Sequence, residues 1–182
     1  GFKATGNNFI SFIGSLSSGS THINPEVFLN EVIKTAKNEK SSESIRIKAI
    51  ELLGFFNDQR VYPILEQALK PGNSPGVQKS AIEAITNLST ETGGNLLAES
   101  NLWSSYTPEI RQVVINALVS KQVFVKVLMD GIEDSVIAPS DVPAGIRQRL
   151  MHRHGDMQKR AEKLFSKLES GDRMQVYKKY KS

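Results

Sequence analysis

The sequence predicts an all-α protein, a right-handed α–α superhelix (solenoid) of about four to five helix hairpins. Three observations carry that prediction. An amphipathic segment recurs as IRIKAIELL from Ile45, VQKSAIEAI from Val77 and IRQVVINAL from Ile110, at steps of 32 and 33 residues. Apolar residues hold the same places in every copy: Ile45, Val77 and Ile110; Ala49, Ala81 and Val114; Ile50, Ile82 and Ile115; Leu53, Ile85 and Leu118. Offsets of four, five and eight mark one face of a helix. Two copies also open with the same cap grammar, Ser74-Pro75 and Thr107-Pro108, a hydroxyl N-cap followed by proline at the first helical position. Strand signals, by contrast, are missing: no alternating apolar and polar run is bounded by turn pairs.

Taken in order, residues 1–24 are rich in Gly, Ser, Asn and Thr and hold one apolar stretch, Phe9-Ile10-Ser11-Phe12-Ile13. They read as a linker, or as a cap on the first repeat. The repeat domain spans 25–168. Its first helix starts at Asn24-Pro25, with Val27, Phe28, Val32 and Ile33 expected inward, and ends near Lys37–Ser42. The helix IRIKAIELLGFF follows, with Ser42 and Ser44 as cap candidates. After Asn57-Asp58-Gln59, the segment to Lys70 sets Val61, Ile64, Leu65, Ala68 and Leu69 on one face, with Pro63 in the tolerant first turn. Next come the Ser74-Pro75 helix, a short helix near Gly94–Glu99, a linker around Trp103, and the Thr107-Pro108 helix. A long apolar helix, VFVKVLMDGIED, has Val123, Val127, Leu128 and Ile132 as its expected buried stripe. Pro139 and Pro143 then precede helices over roughly 143–151 and 156–168. A weaker fourth copy of the repeated segment is expected in the last of these, from Met157, with Ala161 and Phe165 in register. Residues 169–182 read as a final helix or a linker toward a following domain.

The 182 residues can bury a real core, and no run approaches the roughly 20 apolar residues of a membrane span. The first residues lack the basic stretch and apolar core of a secretory signal. Without cysteine there is no disulfide, thiolate metal site or cysteine nucleophile. The net charge of +4 is uneven: from Ser140 onward 11 Lys and Arg face 5 Asp and Glu, while the residues before it carry 12 against 14. The basic end marks a possible interaction surface of Arg147, Arg149, His152, Arg153, His154, Lys159, Arg160 and Lys163, although the same spacings suit solvated helix faces.

Chemical motifs are sparse. His152, His154 and Asp156 are the only cluster of potential metal ligands, and a spacing of two on a helix end points the imidazoles apart. Gly93-Gly94 lacks the lysine and hydroxyl residue of a phosphate loop. No serine sits in a nucleophile elbow. Glu133 and Asp134 are adjacent and diverge. Trp103 and Tyr106 read either as aromatic plugs between hairpins or as the lining of a ligand groove. No catalytic, cofactor or metal residue is assigned.

The junction Asn57-Asp58-Gln59-Arg60-Val61-Tyr62-Pro63-Ile64-Leu65 is similar to that of HEAT repeats, in which Asp and Arg after the turn tie adjacent repeats together. Ile45-Arg46 and Ile110-Arg111 resemble the start of that family's second helix. In the carboxy-terminal part, Gly131-Ile132-Glu133, Ile137–Val142, Arg147–His152, Asp156, Arg160–Phe165, Asp172-Arg173, Tyr177 and Tyr180 resemble the helical segment of large secreted bacterial proteins. In that family a sugar-dehydrogenase-like propeller precedes the array and a haem-binding cytochrome c domain follows it. The resemblance implies a non-catalytic spacer module, located outside the cytoplasm and making contacts with proteins or adjacent domains. Haem is then expected only in a neighbouring domain. The alternative is a nucleic-acid-binding helical repeat.

Overall fold

The computed structural model describes residues 24–166 and 168. The readings made for 1–23, with the Phe9–Ile13 stretch, and for 169–182 lie outside the described residues. Within them there are helices and turns and no strand, and the protein is an all-α solenoid.

Helix α1 (Pro25–Lys37) starts where the sequence says it should. The Asn24 side chain accepts from Glu26 N at 2.9 Å, satisfying one of the amides a helix start leaves open. Helix α2 (Glu43–Leu53) ends at Gly54, where the backbones of α2 and α4 nearly touch. A Cβ on Gly54 would stand 2.7 Å from Ala84 Cα. A 3-10 turn, Gln59–Val61, leads into α3 (Tyr62–Leu69). Both hydroxyl-proline caps form as expected: Ser74 Oγ accepts from Val77 N, and Thr107 Oγ1 from Ile110 N, each at 3.3 Å. They open α4 (Pro75–Leu88) and α7 (Pro108–Ser120). Between them lie α5 (Glu91–Leu97) and α6 (Ser100–Ser105). Helix α6 replaces the expected linker around Trp103, because the Glu99 carboxylate accepts from Leu102 N at 2.9 Å and nucleates a turn. Helix α8 (Gln122–Glu133), a 3-10 turn at Pro139–Asp141, α9 (Ala144–Met151) and α10 (156–166) complete the described chain.

The helices form two rows. Helix α2 packs on α4 and α4 on α7, while α1 packs on α3 and α5 on α8. The hairpin partners α1 with α2, α3 with α4, and α7 with α8 hold the rows together. One core runs from Leu29 to Phe165. Gly93 and Gly94 allow α5 to sit against both α4 and α8: an added Cβ would lie 2.8 Å from Ile85 Cγ2 or from Phe124 Cδ1.

Several inward assignments change. Leu29, Val32 and Ala36 form the buried stripe of α1, and Val27 is 58% exposed. In α8 the stripe is Phe124, Val127, Leu128 and Ile132, joined by Val125, whereas Val123 faces out. Ile45 is 52% exposed, although its counterparts Val77 and Ile110 are buried. These residues lie on faces that no described neighbour covers. The fourth copy is also relocated. Ala161 and Phe165 are buried as expected, but Arg160 ties α10 to α8, not to the row of α7. The Ile-Arg start of the repeat reappears instead at Ile146-Arg147 in α9, with Ile146 and Leu150 buried four residues apart. The turn leading into α9 is tied to α7 by Gln112 Nε2 donating to Asp141 O at 3.2 Å.

Candidate interaction surface

The polar residue one place into each repeated helix makes a recurring lock that sequence reasoning did not recognise. Arg46 Nε donates to Ala36 O at 3.3 Å. Gln78 Nε2 donates to Leu69 O at 2.8 Å and Lys70 O at 3.2 Å. Arg111 Nη2 reaches Ser104 O at 3.4 Å, and Arg147 Nη1 donates to Val142 O at 2.9 Å. In the first three cases the acceptors lie at the carboxy-terminal end of the preceding helix, where carbonyls have lost their intrahelical partners. That explains two buried polar side chains, Gln78 and Arg147, and the signal was present as a polar residue after Ile45, Val77, Ile110 and Ile146.

The Asp58-Arg60 junction ties neighbouring hairpins. The Arg60 guanidinium donates to Asp58 Oδ2 at 2.7 Å and to both Glu26 oxygens at 2.6 and 2.9 Å. These hydrogen bonds from Arg60 hold both carboxyls below the ordinary carboxylate range. Toward the other end, Arg160 reaches Asp130 Oδ1 at 2.7 Å and the Glu133 carboxylate at 2.9 and 3.0 Å. Burial pushes Asp130 up, but hydrogen bonds from Lys126 and Arg160 outweigh it, and its carboxyl titrates lower than usual. Glu133 is lowered chiefly by the Arg160 hydrogen bond.

This geometry divides the eight basic-end residues. Arg147 is 6% exposed and belongs to the interior, a correction caused by its lock on Val142. Arg160 is engaged with α8, and Arg153 Nη1 donates to Gln122 Oε1 at 2.6 Å. Arg149, His152, His154, Lys159 and Lys163 are exposed. The His152 ring carries its proton on Nδ1, donating to Gln148 O at 2.7 Å. Among the described residues no group of three or more His, Asp and Glu is placed to hold a metal ion, and no helix is long and apolar enough to cross a membrane.

Trp103 and Tyr106 are core plugs: both are buried, their rings meeting edge to face at 6.2 Å. The Arg111 guanidinium lies 5.5 Å from the Trp103 ring centroid. Burial, and secondarily the charge of Glu99, pushes the Tyr106 hydroxyl well above its usual ionisation range.

Two of the surface grooves among the described residues run between neighbouring helices. One, of 530 Å³, lies between α3 and α6, with Leu96, Leu102 and Pro71 as its apolar lining and Glu66, Lys70 and Glu99 as its charged one. The other, of 300 Å³, lies between α1 and α2 and is mostly apolar, lined by Phe28, Val32, Ile45, Ala49 and Leu52.

No curated protein and no solved structure gives a significant match. A family model described as HEAT repeats matches residues 29–119, half of the chain, running from within α1 to the penultimate residue of α7. The stacked hairpins, the Asp-Arg tie and the matched span agree: the chain belongs to the HEAT-repeat family.

Proposed function

We propose that this protein is a non-catalytic scaffold that presents an extended helical surface to another protein or to an adjacent domain. The observation that carries the reading is membership of the HEAT-repeat family, because a stack of hairpins supplies extended binding surface along its length. The polar groups of the interior support it, since Gln78 and Arg147 are spent on backbone carbonyls. The exposed cations Arg149, Lys159 and Lys163 of α9 and α10 suit an acidic partner surface. We place the array, following its carboxy-terminal resemblance, as a spacer in an exported redox protein whose haem is held by a different domain.

Binding of a fluorescent polyglutamate peptide, followed by anisotropy at rising salt, tests the surface. Binding is expected at low ionic strength and is lost in the Arg149→Glu, Lys159→Glu, Lys163→Glu variant. Preference for single-stranded or duplex DNA over the peptide, with a steep salt slope, would replace this reading by nucleic-acid recognition. The redox context has its own test. The coding sequence on either side must specify a propeller upstream and a CxxCH haem site downstream, and flanking sequence without them rejects it.

A further inference from the structure

The row formed by α1, α3, α5 and α8 has a gap in its middle. Helix α1 packs on α3 and α5 on α8, but α3 and α5 fall short of either contact. At their amino ends the two are joined, with Tyr62 Oη and Thr90 Oγ1 sharing a hydrogen bond at 2.6 Å. Toward their carboxy ends they part, and the 530 Å³ groove opens there against α6. Pro71, Leu96 and Leu102 give it apolar lining, and a carboxylate comes from either side, Glu66 from α3 and Glu99 from the start of α6. Neither carboxylate is fully neutralised. Lys70 stands 3.9 Å from Glu66 with both side chains about half exposed, a loose pair that water screens. Glu99 accepts from Leu102 N and Asn101 Nδ2, each at 2.9 Å, and makes no ion pair among the described residues.

We propose that this groove docks a segment of a partner protein in which one lysine stands between apolar residues. A lysine lays its aliphatic stem along apolar surface and keeps its ammonium at the wet rim, and here the rim holds a carboxylate on each side. The apolar neighbours of that lysine meet Leu96, Leu102 and Pro71. An acidic segment would set like charges against Glu66 and Glu99, a repulsion that selects against it. The volume falls within the roughly 300–1,000 Å³ of pockets that enclose small ligands, room for a few side chains. The partner follows from the scaffold reading, but the charge it must bring is opposite to that expected at the basic end. Binding of polyglutamate there can therefore fail while this contact stands.

The test uses the full chain with methyl-labelled leucines, titrated with the peptide acetyl-Ala-Leu-Lys-Leu-Ala-amide and followed by NMR. Saturable shifts of the Leu96 and Leu102 methyls are expected. Replacing the peptide's lysine with norleucine, or substituting Glu66→Gln in the protein, should weaken binding at least about threefold. Lys70→Gln removes the competing cation and should tighten it. Glu66 and Lys70 are about half exposed, so neither substitution endangers the fold. No shift up to about 5 mM peptide, weaker than any useful docking contact, overturns the proposal. So does equal binding of the peptide with glutamate in place of lysine, or binding that ignores both protein substitutions. Shifts centred on Leu52 instead assign the peptide to the groove between α1 and α2 and overturn it as well.

Discussion

Helices α2 and α4 carry nearly the same apolar pattern, yet they live in different surroundings. Helix α4 lies between α2 and α7, and its first apolar residue, Val77, is sealed. Helix α2 has α4 on one side and the open groove on the other, and Ile45 at the matching place is half exposed. Burial in a stacked array is therefore a property of the neighbour as much as of the residue. The locks recur along the stack from α2 to α9, whereas the partly exposed ion clusters of Arg60 and Arg160 lie toward the two ends of the described helices.

The contrast can be broken most directly by removing side chains at the shared register. Ile110→Ala should cost about 2–5 kcal/mol in urea unfolding, and Ile45→Ala clearly less. Equal losses would show that the register position, not the neighbour, sets the energetics. A close second is overpacking at the tightest backbone approach. Gly54→Ala places a methyl against the Ala84 backbone and should cost roughly 1–3 kcal/mol, seen as a lower Tm, while Gly145→Ala, with open space around it, should be near neutral. A harmless Gly54→Ala would mean that α2 and α4 can separate freely.

The locks should come next. Gln78→Leu keeps the bulk but removes the donor to the Leu69 and Lys70 carbonyls, an expected loss of about 1–3 kcal/mol for buried acceptors left without a partner. The half-buried Arg46→Met should cost less, since water can reach its carbonyl. The ion clusters should show the smallest effect, and only in acid. Asp58, Glu26, Asp130 and Glu133 all have lowered pKa values in the fold. Their contribution is present above the ordinary carboxylate range and is lost as pH falls through the lowered values. A titration of the unfolding midpoint should therefore decline on acidification, more gently in Arg60→Gln and Arg160→Gln. An acid limb unchanged by both substitutions would remove the clusters from the account. Their exposure and salt screening keep the effect small.

Why the repeats were readable and some details were not follows from the same contrast. The offsets of four, five and eight report a face that every copy must bury, so α2, α4 and α7 were visible from their residues alone. Val27, Ile45 and Val123 were misjudged because apolar character does not say whether a neighbour exists. Helix α6 was missed because SNLWSS has little helix propensity and depends on its Glu99 cap. The fourth copy was misplaced because α9 is only eight residues long and keeps just Ile146, Arg147 and Leu150 of the pattern. Charge located the basic end, but it could not show that Arg147 is spent inside or that Arg160 is tied to α8. Two arginines with the same chemistry as Arg149 thus serve the architecture.

The locks have a further consequence for how such a chain can vary. The carbonyls they bond lie 10, 9, 7 and 5 residues before the donor, and a main-chain carbonyl is a group any amino acid provides, although Arg46 also donates to the side chain of Asn73 at 3.1 Å. Loops between helices can therefore lengthen or shorten, and the residue at the acceptor position can drift, without a compensating change at the donor. Paired substitution in related sequences, the usual trace of a contact, would leave these contacts unmarked.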